Sequence, residues 1–284
     1  MTALFVKQLT TLDFSYLCPE RGLVGETWLV DVTLSGDLDE QGMVFDFGHV
    51  KKQVKASLDL LADHRLLVPA TSKSVTIGHQ GEQLRIEFQT PDGLMTCLAP
   101  AQAILLVDSP EIGTTTLKPY LEQTLIKELP KNVSGVDLHL YHESIDGAFY
   151  HYSHGLKKHL GDCQRIAHGH RSQIEVYLDN HRNTKLEHYW ADLWRDIYIA
   201  TREDLQEVLS TDGVEYYRFS YTSDQGYFEL TLPASRCYLI DTDSTVELLA
   251  EHMVKQLAEL KPNQSIKVLA YEGHNKGACA HTNN

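Results

Sequence analysis

Two periods alternate along this chain. Apolar and polar residues alternate through Trp28, Val30, Val32 and Leu34, and again through Ser172, Ile174, Val176 and Leu178. A period of two marks a half-buried strand. Leu4 to Leu9 and Val136 to His142 read as further strands, with Glu20 to Gly25 as a loop. Asp46 is placed to cap a helix with the apolar stripe Val50, Val54, Leu58 and Leu61, which ends at Ala62-Asp63-His64. A second helix starts near Thr116, carries Leu117, Leu121 and Leu125 one turn apart, and stops before Pro130. In the second half, Ser244 and Glu247 have the spacing of a capping box ahead of the stripe Val246, Leu249, Met253 and Leu257, and Pro262 limits that helix. The segment from Glu187 to Ala200 is rich in Tyr, Trp and Ile, so it is expected to be at least partly extended, with its tryptophans in the core.

The chain also resembles itself. Residues 85 to 108 align without a gap on 218 to 241, matching Arg85 with Arg218, Gly93 with Gly226, Pro100 with Pro233 and Asp108 with Asp241. The strand Trp28 to Leu34 matches Ser172 to Leu178, and Glu143 is aligned with Glu272. This pattern divides the chain into two domains, 1–145 and 146–284, joined at the Asp146-Gly147 turn. Each is of ordinary domain size.

A net charge of −14 argues against a nucleic-acid or anionic-membrane surface. No apolar run is long enough to span a bilayer, and the expected location is cytoplasmic. The five cysteines, without a Cys-x-x-Cys spacing, suit free thiols in a reducing compartment.

The residues with most chemical content are His168-Gly169-His170, at the start of the second alternating strand. Residues two apart on a strand point the same way, so both imidazoles can address one point, with Gly169 leaving room between them. His154 shares a face with Tyr150 and Tyr152 and can supply a third nitrogen. Three imidazoles leave one position open on a tetrahedral zinc. Cys163 precedes the pair by five residues and would lie beside the metal.

Tyr150-x-x-x-His154, a loop, Cys163, then His168-Gly169-His170 entering a strand resembles the 6-pyruvoyl-tetrahydropterin synthase family, including its 6-carboxy-tetrahydropterin synthase branch in queuosine biosynthesis. The resemblance implies an α+β architecture of two tandem T-fold domains. Antiparallel sheets would carry helices on one face and close into a barrel in a homo-oligomer. It further implies that His154, His168 and His170 bind zinc and that Cys163 is a catalytic base. One departure is that four residues separate Cys163 from His168, where family members usually have three.

Family members complete a proton-transfer triad with an Asp-His pair contributed by a neighbour. The first half retains such a pair, Asp63-His64, but has Tyr16 and Val24-Gly25-Glu26 where the zinc ligands would be. The second half has the ligands and no Asp-His. Either the halves complement one another, or Asp63-His64 is a remnant of a decayed copy. The implied substrate is 7,8-dihydroneopterin triphosphate, its ring held by a carboxylate, Glu272 or Glu143. A related enzyme of aldolase type and a non-catalytic module binding pterin and zinc are the alternatives.

Overall fold

The computed structural model describes residues 2–282. The first half contains β1 (Thr2–Cys18), β2 (Gly22–Gly36), α1 (Phe47–Ala62), β3 (Leu66–Pro69), β4 (Val75–Gln80), β5 (Gln83–Thr90), β6 (Gly93–Pro100), β7 (Ile104–Val107), α2 (Thr114–Glu128) and β8 (Val133–Tyr141). The second half contains β9 (Phe149–His154), β10 (His168–Leu178), β11 (His181–Arg182), α3 (Thr184–Leu193), β12 (Ile197–Thr201), β13 (Leu205–Thr211), β14 (Val214–Ser223), β15 (Gly226–Pro233), β16 (Cys237–Ile240), α4 (Val246–Leu260), β17 (Ile266–Tyr271) and β18 (Gly277–His281).

Each half builds its own sheet. The first has the order β7-β3-β1-β2-β8 and the second β16-β12-β9-β10-β17-β18. Their centres are antiparallel hairpins, flanked on one side by parallel strands. In the first half, Leu12, Phe14, Trp28, Val30 and Val32 pack against Val50, Val54 and Leu58 of α1 and Leu117, Leu121 and Leu125 of α2. In the second, Tyr150, Ile174 and Val176 pack against Trp190 of α3 and Leu249, Met253 and Leu257 of α4. Burial of these apolar faces is the main stabilising force. Asp46 caps α1, its Oδ1 accepting from the backbone N of Gly48 at 2.8 Å and of His49 at 3.1 Å.

Four details differ from the sequence reading. The expected loop at Glu20 to Gly25 is a tight turn, because β1 continues to Cys18 and β2 begins at Gly22. The aromatic segment is extended in part, as expected, with Ile197–Thr201 forming β12, but its Glu187–Leu193 part is helical. Its spacing of four between Leu186, Trp190 and Trp194 aims all three into the core, which outweighs local strand preference. Ser244 does not cap α4; Thr245 does, its Oγ1 accepting from Leu248 N at 3.4 Å. Finally, Val30 pairs with Leu140 and Ile174 with Ala270, so the residue opposite Glu272 is His142, not Glu143.

The strands inserted between the helices of each half form a third sheet, β13-β14-β15-β6-β5-β4. It joins the halves through an antiparallel pairing of β6 with β15 in which Cys97 faces Leu230. Those two residues are equivalent in the sequence repeat. Two other equivalent pairs also meet: the Ser15 and Ser153 hydroxyls at 2.7 Å, and Gly25 with Gly169. Contact between equivalent residues is what a local two-fold axis produces.

Candidate metal and acid–base site

The site lies where β9 and β10 cross the end of β1. His154 pairs with His168 in the β9–β10 ladder, and His170 is on the same face two residues further. The ring centroids are 4.4 Å apart for His154 and His168, 5.3 Å for His154 and His170, and 5.8 Å for His168 and His170. One nitrogen from each ring falls within 4.8 Å of the others. All three side chains are buried.

Their hydrogen bonds fix which nitrogen is free. His154 Nδ1 donates to the Ser244 carbonyl at 3.1 Å and lies 3.0 Å from its hydroxyl. His168 Nδ1 donates to the Arg165 carbonyl at 2.9 Å. Each Nε2 is then a bare lone pair. Burial, the largest cause, holds both imidazoles well below their ordinary pKa, so they are neutral as metal ligands must be. His154 Nε2 and both nitrogens of His170 are buried without a hydrogen-bond partner. Orphaned buried nitrogens are rare in folded proteins, and three converging imidazoles fit a metal ion.

The first half reaches this centre. The His64 ring lies 5.0 Å from the His168 ring at a tilt of 38°, and His64, Cys163 and His168 offer ligand atoms within 4.8 Å of one another. Asp63 Oδ2 accepts from His64 Nδ1 at 2.6 Å, and Asp63 Oδ1 accepts from the backbone N of Asp13 at 2.7 Å. His64 N donates to the Asp13 carbonyl at 2.6 Å, and Arg165 Nη1 to the Asp63 carbonyl at 3.2 Å. Backbone and side chain thus clamp the pair, and His64 takes a left-handed φ of 53°. Burial pushes the His64 imidazole down, but hydrogen bonds to Asp63 and Cys163 outweigh it and lift its pKa to about 10. A bound divalent cation would act in the opposite direction.

The two carboxylates separate. Glu272 Oε1 lies 3.9 Å from His170 Nε2. Glu143 instead pairs with His274 Nδ1 at 2.8 Å. Sequence reasoning favoured helix capping for Ser244, with a hydrogen bond to the ring or an anion as the other role, and gave Asp13 none. Ser244 is spaced like a helix cap, and Asp13 is an isolated acid within an apolar strand; neither pattern points to a histidine ninety or more positions away.

The equivalent place in the first half holds Tyr16, Arg21, Glu26 and His142, with His151 and Asp196 of the second half. Arg21 binds Asp196 through Nη2 at 2.5 Å and Nε at 3.0 Å, and donates to the Tyr16 hydroxyl at 3.2 Å. Glu26 Oε2 lies 3.1 Å from His142 and 3.9 Å from His151. No three-imidazole cluster forms there among the described residues.

Comparison with known proteins agrees with this architecture. The model of the family described as 6-pyruvoyl tetrahydropterin synthase matches residues 16–78 and 146–283. A Pyrococcus horikoshii protein provisionally named 6-carboxy-5,6,7,8-tetrahydropterin synthase is 24% identical over 132 residues, covering 46% of this chain and 76% of the relative. Its Pyrococcus abyssi counterpart, named in the same way, is 23% identical over the same shares. Among solved structures, 6-pyruvoyl tetrahydropterin synthase of Plasmodium vivax superposes with a TM-score of 0.39 at 17% identity, covering 49% of this chain and 97% of that one. The Plasmodium falciparum enzyme gives 0.40 at 16%, covering 49% and 90%. With most of its length matched by the family model, the chain belongs to the 6-pyruvoyl tetrahydropterin synthase family.

Proposed function

We propose that the chain is a zinc-dependent lyase acting on 7,8-dihydroneopterin triphosphate, with the 6-carboxy-tetrahydropterin product of queuosine biosynthesis favoured over the 6-pyruvoyl one. The observation that carries this reading is the convergence of three buried imidazoles, two of them oriented to leave Nε2 free, with an Asp-His pair and a thiol. The names of the Pyrococcus relatives favour the carboxy product.

His154, His168 and His170 would hold the metal, which when bound supplies Lewis-acid polarisation of the substrate's side-chain hydroxyls. His64 is the residue suited to pass a proton to and from those oxygens. Asp63 fixes its tautomer through Nδ1 and leaves Nε2 facing the centre. Cys163 would take the carbon-bound proton beside the ring. Glu272 would accept two adjacent ring N–H groups as a forked acceptor. On this reading the chain is a pair of tandem copies, 1–145 and 146–284, whose halves complement each other: Asp63 and His64 serve the ligands of the same chain. The outer strands β7, β8, β16 and β18 each have a single neighbour in their sheets, and we assign their open edges to a homo-oligomer.

The test is incubation of zinc-loaded protein with dihydroneopterin triphosphate, following triphosphate, acetaldehyde and pterin fluorescence. Triphosphate with acetaldehyde supports the carboxy product, and triphosphate alone the pyruvoyl one. Side-chain cleavage with the phosphates retained would replace the proposal with an aldolase-type reaction. No change in substrate, with zinc bound, would leave a non-catalytic module.

A further inference from the structure

Of the three imidazoles, His154 and His168 are oriented by neutral backbone carbonyls. His170 is different. Its Nδ1 faces the carboxylate of Asp13, with Oδ1 at 3.3 Å, a close electrostatic contact that falls outside hydrogen-bond geometry in the metal-free protein. Asp13 belongs to β1, so this carboxylate reaches a second-half histidine from the first half of the chain. The His170 side chain is 2% exposed and that of Asp13 3%. A carboxylate this deeply buried persists only if paired and hydrogen-bonded. Here Thr27 Oγ1 donates to Oδ1 at 2.5 Å and Lys276 Nζ to Oδ2 at 2.9 Å. An added Cβ on Gly273 would come within 2.6 Å of Oδ1, so the backbone closes over the group.

We infer that Asp13 is a positioning residue for the metal: it orients His170 so that Nε2 faces the centre, and it supplies the one carboxylate directly behind a ligand. This rests on the metal-binding reading above. A carboxylate behind a ligating histidine fixes its tautomer and raises its basicity, and loss of such a partner costs roughly 10–100-fold in metal affinity. A charge is favoured here because three neutral imidazoles do nothing to offset a divalent cation. The main chain of Asp13 has a separate task. Its N–H and carbonyl hold Asp63 and His64 through bonds that an amide side chain leaves intact. Metal affinity and acid–base geometry can therefore be separated by changing the side chain alone.

The two-fold-related crossing repeats the pairing with the partners exchanged. By the β1 and β9 pairings, position 13 corresponds to 151, and by the β2 and β10 pairings position 26 corresponds to 170. There, the imidazole of His151 stands 3.9 Å from the carboxylate of Glu26. An acid opposite an imidazole is thus built into both crossings, and only one of them places the imidazole beside two others.

The experiment is zinc titration of metal-stripped wild type, Asp13→Asn and Thr27→Val against a chromophoric chelator, with the visible spectrum of Co2+-loaded protein as a second readout. Asp13→Asn is expected to weaken zinc binding by about 10–100-fold and to alter the Co2+ bands. Thr27→Val retains the charge and loses one donor, so a smaller loss is expected; it also serves if Asp13→Asn does not fold. A purely structural role would lower thermal stability and leave the Co2+ spectrum and chelator competition unchanged, which overturns the inference while the metal site stands. Wild type that takes up no metal would overturn the metal reading itself.

Discussion

The crossing of the two halves can be tested at a residue that has no side chain. Gly169 lies between two candidate ligands, and a Cβ built on it would sit 2.3 Å from the Tyr152 carbonyl oxygen, 2.6 Å from Gly25 Cα and 2.8 Å from Ser15 Oγ. Ordinary contacts begin near 3.4 Å, so Gly169→Ala requires a displacement of about 1 Å against backbone on two sides. Overpacking of this kind costs about 1–3 kcal/mol, and with two backbone obstacles the upper end, about 3 kcal/mol, is expected. For a chain of this length that lowers Tm by roughly 5 °C. Zinc affinity should fall as well, because the shifted strand carries His168 and His170. Gly25→Ala should do the same from the other half, since its Cβ would meet Tyr152 O at 1.8 Å and His170 N at 2.8 Å. Gly78→Ala is the control, where the nearest atom is 4.0 Å away. Urea denaturation and chelator competition are the assays. Gly169→Ala with the stability and zinc affinity of Gly78→Ala would refute the close approach of the halves.

Asp63→Asn should lower turnover by about 10²–10⁴-fold, the range of a general acid–base contribution, with zinc content unchanged; normal turnover would mean that the pair is a remnant. In metal-free protein the His64 pKa is raised from its ordinary 6.5 to about 10, so its contribution is complete below pH 6.5 and is lost as pH rises towards 10. The stability difference between wild type and His64→Gln, roughly 2–4 kcal/mol at pH 6, should therefore shrink on going to pH 10; a difference that grows would contradict it. Saturation with zinc at about 100 times Kd should stabilise the protein by about 2.7 kcal/mol over the stripped form, and elemental analysis should give one zinc per chain. Arg21→Met strands the buried Asp196 carboxylate and should cost about 3 kcal/mol without changing zinc stoichiometry.

The convergence of His154, His168 and His170 and most of the strands were legible because both depend on local spacing: His168 and His170 share a face by strand parity, and Val50, Val54 and Leu58 share one by helical period. Four features depended on partners distant in sequence. Ser244 has the spacing of a cap, yet its hydroxyl and carbonyl are taken by His154. Asp13 and Ser15 interrupt an apolar strand, which obscured the length of β1, because they meet His170 and Ser153 of the other half. The inserted hairpins showed their strands but not that β6 would pair with β15. The room made by Gly169 is for the backbone of Gly25, not for its histidine neighbours.

The two crossings show why one offers a candidate metal site and the other offers none among the described residues, although they share a backbone plan. Around the candidate centre, position 170 is an imidazole with carboxylates on either side, Asp13 at 3.3 Å and Glu272 at 3.9 Å. At the related place, position 26 is a carboxylate with imidazoles on either side, His142 at 3.1 Å and His151 at 3.9 Å. Both arrangements set carboxylates against imidazoles. Only the first leaves imidazole nitrogens unpartnered. The helix-end position repeats the contrast. His64 stands beside His168, whereas its counterpart Asp196, also at a left-handed φ of 54°, is bound by Arg21. A guanidinium there is itself a fixed positive charge with carboxylate and phenol partners, so that crossing is already neutralised by its own side chains. Placing three imidazoles in the first half would therefore not suffice to create a second metal site, because Arg21 would remain to repel the ion; it would have to be removed in the same protein.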